Sequence, residues 1–432
     1  MKLLIKNGKI ADFENRNFKT ADVLIEGERI TAVDKNIKDT DARAIDAGGL
    51  YVFPGLIDLH AHLREPGRED EEDIFSASCA AAKGGFTTVC CMPNTSPAID
   101  NAGLVKYIFD KGKEIGLIDI LPVGAITKER AGLELSEMLK MHEAGAAGFS
   151  DDGSWVKNSL LMRRAMEYSL MHDMLLILHC EDEDLSKNGV MNEGKISLKM
   201  GLIGIPREAE IISVKRDIEL AKLTGARIHL THLSCRESAA AVEEAKKRGL
   251  KITADTTPHY LALNEDAVLD YNTNAKVNPP LRSEGDRLAL IEALKKGVID
   301  AVATDHAPHS REEKDCEFDL ASFGIIGFET ALAVGLKLVG EGQLELIDLI
   351  EKMASKPAEI LGFNDKGRIK PGFIADVLIV DPDREWNLTE DEIVSKSVNT
   401  PFMNWKFKGC PKHLIHRGSV VVENFKIKEV IR

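Results

Sequence analysis

The sequence predicts an α/β protein, a (β/α)8 barrel carrying a smaller β domain. Three observations lead there. Apolar, β-branched runs alternate with helical patterns through the middle of the chain; eight such runs occur; and both ends of the chain alternate apolar with polar residues at period two.

The end segments come first. "KLLIKNGKIAD" and "ADVLIEGERITAVD" open the chain, while "GRIKPGFIADVLIVDPD" and "HLIHRGSVVVENFKIKEVIR" close it. The simplest arrangement is one small β domain built from residues 1–50 and 365–432, with the barrel over 51–364. The barrel strands fall on "FPGLIDLH", "FTTVCCMP", "IDILPVGAI", "GAAGFSDD", "MLLILHC", "ARIHLTHL", "KITADTTPH" and "VIDAVATDH". Helical segments separate them. "EEDIFSASCAAAKGG" is acidic at its start and ends in glycine, and "NSLLMRRAMEYSLMHD" opens on Asn158 as a cap. Eight strand and helix units over roughly 280 residues match the size of a TIM-like barrel, whose catalytic residues sit at the C-terminal ends of its strands.

Bulk composition narrows the function. The 432 residues include 56 Lys and Arg against 70 Asp and Glu, a net charge of -14. That balance argues against nucleic acid or anionic membranes as partners, so an acidic substrate needs a local positive site. The opening "MKLLIKNGKIADF" lacks the long apolar core of a secretion signal, and no later run reaches the ~18 residues of a membrane span. Seven cysteines, none in a C-x-x-C arrangement, suggest neither a disulfide framework nor a thiolate zinc site. The expectation is a soluble cytoplasmic protein.

The strand ends carry the chemistry. His60 and His62, then Asp152, His179, His232 and Asp305, place a metal-ligand residue type at the ends of strands one, four, five, six and eight. Side chains two apart share a strand face, so His60 and His62 point the same way. Phe149 suits the helix layer and takes Asp151 with it, which favours Asp152 as the inward group. Leu175, Ile177 and His179 are in phase, putting Cys180 outside. Leu230 and His232 are in phase, which predicts that His229 faces the helices. Asp58 shares the phase of the two histidines and could orient one imidazole. Singly, each has a bland reading as a helix cap or a hydrogen-bonded core residue. Jointly, chance would have to place ligand types at five strand ends.

Four imidazoles and two carboxylates without a thiolate suit Zn²⁺ better than Mn²⁺ or Co²⁺. An open catalytic zinc site typically uses three protein ligands, so six imply two ions bridged by a carboxylate. Such a pair can share a hydroxide and attack an amide-like bond.

"DLHAHLREPG" and "ATDHAPHSREEK" resemble the two signature segments of the dihydroorotases, and the chain resembles the type I branch of that family, within the amidohydrolase superfamily, over nearly its full length. "CMPNT", "FSDDGS" and "VNPPLR" support the match. The resemblance implies a barrel with a β-sandwich from both termini. It also implies reversible hydrolysis of (S)-dihydroorotate to N-carbamoyl-L-aspartate, the third step of de novo pyrimidine synthesis. Carried over, His60, His62 and Asp305 hold one zinc, His179 and His232 the other, and Asp152 bridges with a hydroxide; many superfamily relatives use a carboxylated lysine there instead. Asp305 is the general base and then acid. Arg64, Asn94 and His309 take the substrate carboxylate, Asn278 contacts the ring, and the backbone near Phe323 and Gly324 contributes from the loop "HAPHSREEKDCEFDLASFGIIG" at 306–327, which reads as a lid.

Arg64 has a physical reason to be there, since a guanidinium fork matches a carboxylate in two hydrogen bonds. A surface salt bridge is its bland alternative, and turn formation that of Asn94 and Asn278. Two rival functions stand beside this one. A dihydropyrimidinase or allantoinase type of cyclic amidase would use the same metals on an uncharged ring. A non-catalytic barrel would serve as an assembly partner of aspartate transcarbamoylase, although such chains lose metal ligands and all six are present here. Assembly as a homodimer, and association with aspartate transcarbamoylase, are the partner expectations the resemblance carries.

Overall fold

The computed structural model describes residues 2–428; the last four residues of the closing segment "HLIHRGSVVVENFKIKEVIR" lie outside them. Eight parallel strands are hydrogen-bonded in chain order. They are β1 (Leu56–Ala61), β2 (Phe86–Cys91), β3 (Asp119–Gly124), β4 (Gly148–Phe149), β5 (Leu176–Leu178), β6 (Ile228–Leu230), β7 (Ile252–Thr256) and β8 (Ala301–Val302). The circle closes just past the strand ends, where His62 N donates to His306 O at 2.8 Å and Asp305 N donates to His60 O at 3.0 Å. Each expected run contains one strand, but several strands are short. The chain leaves the ladder where it begins to build the site, as β4 does before Ser150.

Leu59, Cys90, Met92, Val123, Leu175 and Ile177 fill the barrel interior, and a larger apolar layer packs the strands against the helices. The helix over Ile74–Gly84 starts at Asp73, whose side chain accepts from Ser76 N at 2.7 Å. Its last residue must be glycine, because a Cβ on Gly84 would lie 2.1 Å from the Phe328 carbonyl oxygen. Asn158 caps the helix over Ser159–Ser169, accepting from Leu160 N and Leu161 N.

The two ends of the chain form one continuous nine-stranded sheet. Its junction is the strand Tyr51–Pro54, paired on one side with Lys2–Asp12 and on the other with Val377–Asn387. These four residues, placed with the barrel in the sequence reading, are hydrogen-bonded in the terminal sheet. The sheet has its own core, which includes Leu3, Ile25, Val52, Val377 and Ile415. Among the described residues, no helix is long and apolar enough to cross a membrane.

Candidate active site

At the C-terminal mouth of the barrel the six expected ligand residues converge, all at least nine-tenths buried. Asp152 is central. Its Oδ1 lies 3.3 Å from His60 Nε2, 3.5 Å from His232 Nε2 and 3.6 Å from His179 Nδ1. Its Oδ2 lies 3.6 Å from His62 Nε2. Asp305 Oδ1 is 3.1 Å from His62 Nε2 and 3.6 Å from His60 Nε2. Two overlapping groups, His60 with His62 and Asp305, and His60 with Asp152 and His232, each bring one donor atom per residue within 4.8 Å of one another.

Local backbone geometry aims these side chains. His232 and Asp305 adopt φ of 42° and 47°, and Arg64 a φ of 62°. Non-glycine residues seldom occupy this left-handed region, and where they do the surrounding structure must hold them there. At His232 the turn reverses the strand alternation, with a direct consequence for His229. Contrary to the sequence expectation, His229 does not face the helices: it lies inside the barrel, its Nε2 2.8 Å from Asp255 Oδ2 and its Nδ1 2.8 Å from Thr253 Oγ1. Leu230 and Ile228 take the helix side instead.

Protonation follows from the partners behind each ring. The Thr231 hydroxyl donates to Asp255 at 3.2 Å, so it can only accept from His60 Nδ1, 2.8 Å away. His60 therefore carries a proton on Nδ1 and turns Nε2 toward the centre. His62 repeats the pattern, with Asn94 Oδ1 at 2.8 Å from Nδ1. Glu181 Oε2 takes His179 Nε2–H at 3.1 Å, which turns His179 Nδ1 toward the centre, 3.0 Å from His232 Nε2. Burial alone would raise the pKa of Glu181, but its bonds to His179 and Asn278 outweigh it and hold the value at about 2.

This donor set fits divalent cations. His60 Nε2 and Asp152 Oδ1 are buried, face each other and have no hydrogen-bond partner. Burial disfavours charge on His60, yet Asp152 and Asp305 overcome it and push its pKa up to about 10. Burial likewise opposes ionisation of Asp152, and His60, His232 and His62 hold it well below the usual carboxylate range. A field that draws a proton so strongly draws a metal ion equally well.

Asp58 does not orient an imidazole. Its carboxylate accepts from Thr304 N at 2.9 Å, the Thr304 hydroxyl and His60 N, so it braces the backbone of the last strand crossing against β1. Asp151 is likewise spent on the Ile126 and Thr127 backbone.

The expected substrate residues surround this centre. Arg64 Nε donates to Pro308 O at 3.0 Å, and its Nη2 lies 3.2 Å from His309 Nε2. Asn278 Nδ2 donates to Glu181 Oε2 at 2.7 Å, while its own Oδ1 is buried without a partner. Glu181, Asn278 and Phe323 line a cavity of about 690 Å³ at the mouth. The 306–327 loop is pinned down: Lys314 Nζ donates to Ser322 O at 2.7 Å and Gly324 O at 3.1 Å, and Lys276 Nζ to Phe318 O at 2.7 Å. Gly324 N donates to Lys276 O at 2.9 Å, and Phe323 O lies 2.8 Å from His309 Nε2. Thr231, Asp255 and Glu181 were not singled out from the sequence. Of these only Glu181 had a signal, standing in strand phase two residues after His179.

A barrel whose mouth gathers four imidazoles and two carboxylates is that of a metal-dependent amidohydrolase. The chain belongs to the dihydroorotase family. A family model described as dihydro-orotase-like matches residues 49–238. A dihydroorotase of Trichlorobacter lovleyi is 48% identical over 422 residues, 98% of this chain and 99% of the relative. One from a Thermoanaerobacter species is 48% identical over 421 residues, 97% of each chain. Among solved structures, the L-hydantoinase (dihydropyrimidinase) of Arthrobacter aurescens superimposes with a TM-score of 0.90 at 26% identity, covering 99% of this chain and 97% of that one. The dihydropyrimidinase of Brevibacillus agri gives 0.86 at 25%, over 99% and 96%.

Proposed function

We propose that two divalent ions, for which zinc best matches the donors, are held by His60, His62 and Asp305 on one side and by His179 and His232 on the other, with Asp152 between them. The activity is that of a dihydroorotase: reversible hydrolysis of the ring amide of dihydroorotate to N-carbamoyl-L-aspartate. Bound at such a centre, metal ions supply Lewis-acid polarisation of a carbonyl and lower the pKa of water toward ~7.

The remaining work falls to the chain. Burial would raise the pKa of Asp305, but its bond to His62 and the charge of His60 hold it below the usual range, so it is ionised and can accept the proton of the attacking water. The same carboxyl then hands that proton to the departing ring nitrogen. Asn94 fixes His62 through Oδ1 and keeps its amide N–H for substrate. Arg64 and His309 take the carboxylate in charge-assisted hydrogen bonds, and Asn278 and the Phe323 backbone border the ring.

The observation that carries this reading is the pair of buried cationic and polar groups, Arg64 and His309, beside the ligand cluster. The fold likeness to dihydropyrimidinases favours a second reading, an uncharged ring, but such a ring offers no carboxylate to either residue. Parallel hydrolysis assays on dihydroorotate and hydantoin, with metal content measured on the same sample, decide between them; faster turnover of hydantoin would overturn the proposal.

A further inference from the structure

Behind Arg64 lies a carboxylate that this mechanism does not use. Glu71 belongs to the charge run "REDEED" yet its side chain is fully buried. Its Oε2 lies 3.0 Å from Arg64 Nε, an ion pair without a hydrogen bond because that N–H is given to Pro308 O, and its Oε1 lies 3.0 Å from His309 Nδ1 and accepts from Arg68 Nη2 at 2.5 Å. Glu313, from the pinned loop, reaches the same His309 nitrogen at 2.9 Å and also pairs with Arg68. By spacing alone Glu71, His309 and Glu313 form a cation-binding trio. Two guanidinium groups already fill that role, so the cluster is not a metal site.

We propose that Glu71 is the positioning residue for substrate carboxylate recognition, fixing Arg64 and His309 in one geometry from behind. The proposal rests on the reading of those two residues given above. Glu71 touches both. Because both partners of His309 Nδ1 are carboxylates, that nitrogen carries a proton, and the ring is set with Nε2 on the Arg64 side, where its own N–H, 2.8 Å from Phe323 O, is the donor for a ligand carboxylate. The ion pair with Arg64 Nε offsets the cost of burying the guanidinium, while Arg64 Nη1 makes no hydrogen bond among the described residues and remains for a ligand. A buried carboxylate with two cationic partners and an imidazole holds its neighbours more tightly than a solvated one could.

The test compares wild type, Glu71→Gln and Glu71→Asp on dihydroorotate and on hydantoin, with metal content and thermal melting recorded for each. Glu71→Gln should raise KM for dihydroorotate about tenfold, the size of one weakened charge-assisted hydrogen bond, with kcat changed less than about twofold and hydantoin kinetics shifted no more than that. Glu71→Asp, which keeps the charge but withdraws it by one methylene, should fall between; if Glu71→Gln does not fold, this variant carries the same comparison. Equal losses on both substrates, a loss confined to kcat, or no change overturns the proposal. Wild type that fails on dihydroorotate while hydrolysing hydantoin instead overturns the functional reading beneath it.

Discussion

His60 Nε2 and Asp152 Oδ1 face each other across 3.3 Å, both buried and neither with a hydrogen-bond partner. Thr231 makes this possible by accepting the proton on the other nitrogen of His60. Thr231→Val removes that acceptor while keeping the shape. Divalent-ion affinity should fall by about 10- to 100-fold, the usual cost of losing a partner behind a metal-binding histidine. Chelator competition measures it, and unchanged affinity would refute the tautomer assigned to His60.

Asp305 has two roles that one substitution can separate. Asp305→Asn keeps the volume and one carbonyl oxygen but cannot take up a proton. Turnover should drop by about 10²- to 10⁴-fold, the range general acid-base catalysis supplies, while metal content falls far less. Near-normal kcat in this variant would move the proton carrier elsewhere.

Much of this was legible in the chain itself. Barrel strands are covered on both faces and read as apolar runs, so all eight stand out. The ligands stand out because Asp152 and His179 follow strand phase. Phase fails at His232, where a left-handed residue reverses the alternation that periodicity assumes, and His229 was misplaced for that reason. Asp58 has the right phase but is taken up by Thr304 and the His60 backbone, partners that alternation cannot foresee. Glu71 was hidden because a run of charges reads as a solvated surface, whereas the fold buries both Glu71 and Glu72 of that run and sets Glu71 behind Arg64. Thr231 and Asp255 carry no signal at all, since their role exists only once β6 and β7 are adjacent to His60.

Arg64 discriminates between ring types. Arg64→Met retains much of the buried stem and deletes the fork. Handling of dihydroorotate should weaken by about 1.5–3 kcal/mol, roughly ten- to 150-fold in kcat/KM. Hydantoin hydrolysis should change by less than about threefold. Steady-state kinetics on the two substrates read the difference, and equal losses would favour an uncharged natural substrate.

At the opposite end of the barrel, Lys366 joins the two parts of the fold. Its Nζ lies 2.6 Å from Asp376 Oδ2 and 2.7 Å from Asp119 Oδ2, and donates to Thr88 Oγ1 at 3.1 Å. Thr88 and Asp119 belong to β2 and β3, while Asp376 precedes the sheet strand Val377–Asn387 and pairs with His416 at 3.2 Å. Burial would raise the pKa of both aspartates, but Lys366 with Arg417 at Asp119, and His416 with Lys366 at Asp376, hold both below the usual range. Carboxylates depressed in the folded state stabilise it at neutral pH, and that contribution disappears as the pH falls below the ordinary value of about 4. Lys366→Met leaves two carboxylates short of their cation and should cost about 3–5 kcal/mol at pH 7. The deficit relative to wild type should shrink as the pH approaches 3.5, because protonation then neutralises the unpaired groups in the variant while removing the benefit in wild type. Denaturant midpoints of both proteins across that range test the sign; a deficit independent of pH would mean that Lys366 acts through packing of its stem rather than through charge.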